Sequence, residues 1–297
     1  MATSRFHDGE LAVQQRAGVR AEADRLGGML APPHLDGGPA RFLGERTFAA
    51  LTGRDPGGRL WTSPLVGPPG FLDAEVATLR VHSLPLPGDP LRELPAGQAV
   101  GLIAMDYARR RRIRVNGVLA ERNADGLRVE VEQAYGNCPK YIRPRRLDED
   151  GAAVDPGASS RSAALTAAQA ALLTGTDTFF LGTTHPERGV DTSHRGGPPG
   201  FVRVEDGGLW WPDYPGNNMF NSFGNLAVDD TAAVLVPDFA AGARLQLSGR
   251  ATLEWVRPGS AGDDGGTGRR VRFTVQEVAG GALPLHEEPD GARGAAG

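Results

Sequence analysis

The stretch Asp191-Thr192-Ser193-His194-Arg195-Gly196-Gly197-Pro198-Pro199-Gly200 sets a hydroxyl, an imidazole and a guanidinium beside paired glycines. Gly196 and Gly197 lack a Cβ, so backbone N–H groups can approach a ligand closely. An arginine fork suits a phosphate or the carbonyl edge of a polar ring. A second candidate runs from Pro212 to Leu226 and contains Asn217, Asn218 and Asn221. Asparagine caps helices well and free N–H groups at a helix start bind phosphate, so a helix beginning near Asn217 or Asn218 is expected to present an anion site. A third, Gln133 to Ile142, carries Cys138 and Lys140, the one lysine among 32 Lys and Arg residues. No partner base lies near Cys138 in sequence, so it reads as a buried structural thiol. Lys140 reads as a point charge reaching a phosphate.

Other chemistries find no support. The six histidines (His7, His34, His82, His185, His194 and His286) are scattered, with no HExxH or CxxC, so no metal centre is expected. There is no GxSxG, P-loop or GxGxxG, which argues against a nucleophile elbow and a Rossmann nucleotide unit.

The elements that must position these residues are duplicated. Thr62-Ser63-Pro64-Leu65-Val66-Gly67-Pro68-Pro69-Gly70-Phe71 returns as Thr192-Ser193-His194-Arg195-Gly196-Gly197-Pro198-Pro199-Gly200-Phe201, an offset of 198 − 68 = 130. Val100 to Tyr107 returns as Ala233 to Phe239, at 238 − 106 = 132. Landmarks in one order at nearly one offset mean a repeated domain. Where the first copy has Pro64-Leu65-Val66 the second has His194-Arg195-Gly196, so one copy reads as a site and the other as scaffold.

Short runs rich in β-branched and apolar residues, separated by Gly, Pro or Asp clusters, predict strands over 47–52, 60–66, 77–82, 99–106, 113–119 and 127–134, and a matching set over 178–278. The expected fold is mainly β with a few short helices: two tandem six-stranded antiparallel barrels packed as an intrachain pseudo-dimer. The expected division is a helical extension over 1–40, a first barrel over 41–146, an acidic then Gly/Ala/Ser-rich linker over 147–163, a second barrel over 164–285 and a disordered tail over 286–297. A helix capped by Thr166 is expected over 167–173.

A net charge of −4 gives no basis for nucleic-acid binding, and Arg109-Arg110-Arg111-Arg112 reads as a solvated hairpin. No apolar run is long enough for a membrane helix and no signal peptide opens the chain, so no membrane partner and a cytoplasmic location are expected.

At Ser193–Gly197, at Gly216–Leu226 and at Tyr135-Gly136-Asn137-Cys138-Pro139-Lys140-Tyr141, the chain resembles the pyridoxamine 5′-phosphate oxidase-like, FMN-binding split-barrel family. The resemblance spans both halves and implies Greek-key barrels that bind FMN, with FAD the other candidate, at a two-fold interface between barrels. A monomeric pseudo-dimer or a homodimer would supply that interface. It further implies a flavin-dependent oxidoreductase that transfers hydride or electrons to or from a small-molecule substrate, with an external electron donor as a further partner. The alternative is a non-enzymatic flavin- or haem-binding module. Under the resemblance, His194 lies at the reactive face as the catalytic residue. Ser193, Gly196 and Gly197 hold the ring edge. Arg195, Lys140, Asn217, Asn218 and Asn221 hold the remainder of the cofactor. Trp61, Thr62 and Ser63 wall the opposite side. The family's Ser-Arg-Lys phosphate grip is replaced here by Gly216-Asn217-Asn218, which bears on activity toward pyridoxamine phosphate more than on flavin binding.

Overall fold

Each copy of the repeat begins with a β-hairpin whose strands are buried nearly end to end. In the computed structural model, which describes residues 6–30, 34–136, 139–148 and 159–288, the first copy forms strands β1 (Phe48–Arg54), β2 (Leu60–Val66), β3 (Leu72–Glu75), β4 (Thr78–Val81), β5 (Ala99–Asp106), β6 (Arg111–Asn123) and β7 (Gly126–Gly136). The second forms β8 (Thr178–His185), β9 (Gly189–Gly196), β10 (Arg203–Glu205), β11 (Gly208–Pro212), β12 (Thr231–Asp238), β13 (Ala243–Trp255) and β14 (Arg269–Ala282). All pairings are antiparallel. The hydrogen-bonded order is β2-β1-β5-β6-β7-β4-β3 in one sheet and β9-β8-β12-β13-β14-β11-β10 in the other, the same Greek-key path twice.

The registers of the two sheets correspond residue by residue. Phe48 pairs with Val66 and Thr178 with Gly196; Thr52 pairs with Gly101 and Gly182 with Ala233. A bulge sits at Asn116/Gly117 in one copy and at Ser248/Gly249 in the other. Phe71 and Phe201 are buried at equivalent turns, each donating its N–H to Pro68 or Pro198, and a Cβ at Gly67 or Gly197 would run into the following phenyl ring. The strand count differs from expectation: seven on each Greek-key path, because β3 and β4 form a hairpin in the first copy and β10 and β11 in the second, and an eighth short strand joins the second sheet. Each sheet encloses its own core, Leu51, Trp61, Phe71 and Leu102 in one and Phe179, Phe201, Trp211 and Phe273 in the other.

The two sheets pack through their exposed ends. Edge strand β2 lies against β12 and β13, and edge strand β9 lies against β5 and β6, so each copy covers the other's unpaired edge. Phe48, Ile103, Met105, Phe180, Leu235 and Phe239 form a shared apolar seam. Thr192 Oγ1 donates across it to Gly101 O at 2.7 Å, where a Cβ on Gly101 would meet Val190 O at 2.8 Å.

Among the described residues, five α-helices accompany the sheets. Within the helical extension expected over 1–40, α1 (Asp8–Ala17) and α2 (Arg20–Leu26) are separate helices, because Gly18 takes a left-handed turn at φ 71. α3 (Gly38–Gly44) precedes β1, and α4 (Ala167–Gly175) has the expected Thr166 cap, reinforced by Gln169. α5 (Asn221–Val228) starts later than the sequence suggested. Two short pairings fall in the stretches read as linker and tail: Leu147–Asp148 with His286–Glu287, and Ser160–Ser162 on β14. Asn137 and Cys138 lie outside the described residues, as do most of 147–163 and residues 289–297.

Candidate functional site

On β6, successive side chains alternate sides, so Arg112 and Arg114 share one face and point across the seam to β9. Arg109, Arg110 and Arg111 are exposed at the hairpin, as a solvated run should be, but Arg112 and Arg114 leave the run and enter the interface. Arg114 Nη1 binds both oxygens of Asp191 at 2.9 and 3.1 Å. Asp191 also accepts from Ser222 Oγ at 3.1 Å, so it ties β6, β9 and α5 together. Arg112 Nη1 lies 2.9 Å from His194 Nδ1.

These residues form one wall of a groove between the copies. It encloses about 870 Å³ including its open mouth, within the range of small-ligand sites. Its lining includes Arg112, Arg114, Lys140 and Arg195 but, among the described residues, no carboxylate. Asp191 sits behind it on Arg114, and Asp213 is engaged by Arg269 Nε at 2.9 Å. Fixed cations concentrated in a concave, partly buried surface favour an anion.

Arg195 is the strongest single indicator. Its Nε is buried without a hydrogen-bond partner among the described residues, and its guanidinium lies 4.8 Å over the Phe223 ring. Burial pulls its pKa down to about 10, with Asp213 opposing that fall. A buried donor without an acceptor is costly, and an anionic ligand supplies one.

The segment after β7 closes the groove from the first copy. Ile142 anchors it in the apolar seam. A Cβ on Gly196 would collide with the Tyr141 carbonyl oxygen, so glycine is required for this approach. The Tyr141 and Tyr214 rings stack at 5.0 Å, and Tyr141 OH donates to Pro215 O at 3.2 Å. Tyr141, Asn218 and Phe220 take left-handed φ values of 63, 61 and 59. Three non-glycine residues in that region beside one groove mark a backbone shaped for a task.

His194 lines the groove but differs from its expected role. An arginine can only donate, so Nδ1 accepts from Arg112; the proton therefore sits on Nε2, which donates to Thr178 Oγ1 at 2.7 Å. Burial, then the neighbouring Arg112, holds its pKa well below the usual histidine range. With both nitrogens engaged, the neutral ring orients Arg112 and has no free position for proton transfer.

Lys140, Arg195, Gly196, Asn217, Asn218 and Asn221 meet at the groove, Lys140 with an exposed side chain. Asn217 and Asn218 precede α5 in an irregular loop, and Asn217 Oδ1 accepts from Met219 N, so neither starts a helix. Ser193 lies one layer back, 3.1 Å from Ser222 Oγ, and Gly197 serves the Phe201 turn. Trp61, Thr62 and Ser63 do not wall the groove. Trp61 fills the first core, and Thr62 and Ser63 face Gln246 across the seam.

That correction follows from the pseudo-two-fold. Arg112, Arg114 and Ser193 have counterparts in Arg244, Gln246 and Ser63, offset by 132, 132 and 130. Around these counterparts the Pro-rich segment after β4 folds inward. Asp89, its side chain fully buried, lies 3.4 Å from Arg244 Nε and accepts from Ser63 Oγ and Leu91 N. Leu86 packs beside it on the seam. The chain's own carboxylate and leucines fill the second place, so one groove stays open.

Sequence reasoning missed Arg112, Arg114, Asp191, Ser222 and the tyrosine pair. Alternation along 111–119 carried the signal for the two arginines, but the dense basic run masked it.

Residues 165–261 match the family model of pyridoxamine 5′-phosphate oxidase. No curated protein matches the chain in sequence. Solved structures similar to it include an FAD-binding protein from Mycobacterium smegmatis, 13% identical over 39% of this chain and 96% of that one, TM-score 0.27. Another is a Clostridium acetobutylicum protein of the pyridoxine phosphate oxidase family, 14% identical over 40% and 89%, TM-score 0.28. A third is a haem storage protein from Vibrio cholerae, 12% identical over 39% and 89%, TM-score 0.27. The matched segment, about a third of the chain, contains β8, β9 and α5, the elements that carry Arg195, Asn221 and Ser222, and it is this segment that is similar to the pyridoxamine 5′-phosphate oxidase family.

Proposed function

We propose that the groove binds a flavin phosphate cofactor, FMN first and FAD second, and that the chain is a flavin-dependent oxidoreductase acting on a small molecule. The observation that carries this reading is the convergence of Arg112, Lys140 and Arg195, without a lining carboxylate, on a groove built largely from the segment matching the family. The residues fit such a group: among the described residues Arg195 Nε lacks an acceptor, and Gly196 lets the Tyr141 backbone close in beside the groove. A bound flavin would supply hydride or electron transfer. Arg195 and Lys140 would hold its phosphate, and Arg112, set by His194, would face a second electron-rich group on the ligand. Tyr141, Tyr214 and Phe223 would exclude water from the apolar body of the ring.

A histidine-ligated haem in this groove would need a free imidazole nitrogen, and both nitrogens of His194 are engaged. Absorption of the purified protein, alone and after adding FMN, tests the reading. Flavin bands that stay with the protein through gel filtration support it. A Soret band from co-purified haem, or FMN that elutes free, overturns it.

A further inference from the structure

The groove's rear wall depends on a residue outside both repeats. α1 crosses α5 at a glycine pair: a Cβ on Gly9 would collide with Gly224 O, and one on Gly224 with Glu10. Gln14 Nε2 donates to Met219 O at 3.0 Å, and His7 reaches Asn225 Oδ1 at 3.1 Å. At the centre of this contact Glu10 is 4% exposed. Its Oε2 accepts from His7 N at 2.8 Å and its Oε1 from Asn221 Nδ2 at 2.6 Å. Asn221 is the first residue of α5. It borders both the groove and the small polar cavity that holds Glu10.

An asparagine amide carries a donor end and an acceptor end. An ionised carboxylate can only accept. Glu10 therefore fixes Asn221 with Nδ2 turned back, which leaves Oδ1 for the groove.

We propose that Glu10 is a positioning residue for the ligand groove: it locks the Asn221 side chain so that the groove presents an acceptor there, to meet an N–H or O–H of the bound molecule rather than its phosphate. The ligand identity rests on the flavin reading; the orientation of Asn221 does not. Burial pushes the Glu10 carboxyl up to about 7, so the lock is pH-dependent. A protonated carboxyl can donate to Oδ1 and let the amide turn over. The charged or titratable groups facing Glu10 are His7 at the cap of its own helix, Arg188, Asp191 and Tyr135 across the cavity, and His185 behind His7. Burial holds His7 down to about 4, so it stays neutral around pH 7.

FMN affinity, read by quenching of its fluorescence, is measured for the wild type, for Glu10→Gln and for Glu10→Gln combined with Asn221→Asp. In Glu10→Gln the new side chain still accepts from His7 N but donates toward Asn221, which turns its amide and puts a donor into the groove. Affinity then falls about tenfold, the loss of one matched hydrogen bond made into a mismatch. The double variant keeps net charge, donates backward to the introduced carboxylate and returns an acceptor to the groove, so most of the affinity recovers. Wild-type affinity weakens as pH falls through about 7 by a component that Glu10→Gln lacks, on top of the titration of the FMN phosphate near about pH 6 that both share. A double variant no better than the single one, or the same pH dependence in the wild type and in Glu10→Gln, overturns the proposal. In the ligand-free protein labelled with ¹⁵N-asparagine, the Asn221 side-chain amide resonances titrate near pH 7 and shift in Glu10→Gln. If FMN fails to bind at any pH while these resonances titrate, the flavin reading falls and the lock stands. If they are invariant, the lock falls whatever FMN does.

Discussion

Replacing Glu10 by glutamine should make the folded chain more stable while weakening its groove. Desolvation raises the Glu10 carboxyl from 4.5 to about 7 in the folded state. Between those values the folded chain binds more protons at this site than the unfolded chain, so the wild type loses stability as pH rises through the window. A rise of 7 − 4.5 = 2.5 corresponds to about 3 kcal/mol at pH 8, and to just under about 1 kcal/mol at pH 5. His7 works in the opposite sense, because its value falls from 6.5 to about 4 and stability rises with pH between the two. Comparing variant with wild type at each pH cancels the His7 contribution. Glutamine carries no charge to desolvate and keeps an acceptor for His7 N and a polar contact with Asn221. Urea titrations at pH 5 and pH 8, followed by tryptophan fluorescence, should show Glu10→Gln more stable by about 3 kcal/mol at pH 8 and by only about 1 kcal/mol at pH 5. A variant equal to or less stable than the wild type at pH 8 would refute the claim that Glu10 is held against its burial.

Arg195→Ala should cost FMN tenfold to a hundredfold in affinity, roughly 1.5–3 kcal/mol, with little change in melting temperature; titration and calorimetry read both. Leu65→Ala, at the equivalent strand position in the first core, should instead cost about 2–5 kcal/mol of stability. Lys140→Met should weaken FMN binding modestly and flatten its dependence on salt, since an exposed and screened attraction is removed; dialysis at two ionic strengths measures it. Asp89→Ala leaves Arg244 buried without its carboxylate and should destabilise the chain by about 3–5 kcal/mol, while folded protein keeps wild-type FMN affinity because the open groove lies elsewhere.

The likeness of the two halves is legible in sequence because it lies in local chemistry. Gly67/Gly197 and Gly70/Gly200 make the same turn for the same steric reason, and Phe71 and Phe201 are buried beside them. The Arg195–Gly197 stretch was visible for a like reason, since a guanidinium next to paired glycines is unusual in a strand. What stayed hidden depends on pairing across the seam. Nothing local says that Arg112 rather than Arg111 reaches His194, or that Thr178 takes the other ring nitrogen and leaves that histidine without a free position. Trp61, Thr62 and Ser63 were expected at the groove because they match Asp191, Thr192 and Ser193. The match is real, but the pseudo-two-fold carries them to the other end of the seam, where Asp89 folds in. Glu10 lies more than 200 residues from Asn221 in sequence, and its Gly9–Gly224 crossing leaves no periodic trace.

Equilibrium dialysis of the full chain against FMN, with Arg195→Ala alongside, tests the central claim most directly. The account predicts one FMN bound per chain in the wild type, since the place around Arg244 is filled by Asp89, and loss of that binding in Arg195→Ala at the same FMN concentration. Two FMN per chain would contradict the filled second place. No binding, or binding that Arg195→Ala leaves unchanged, would contradict the groove as the cofactor site.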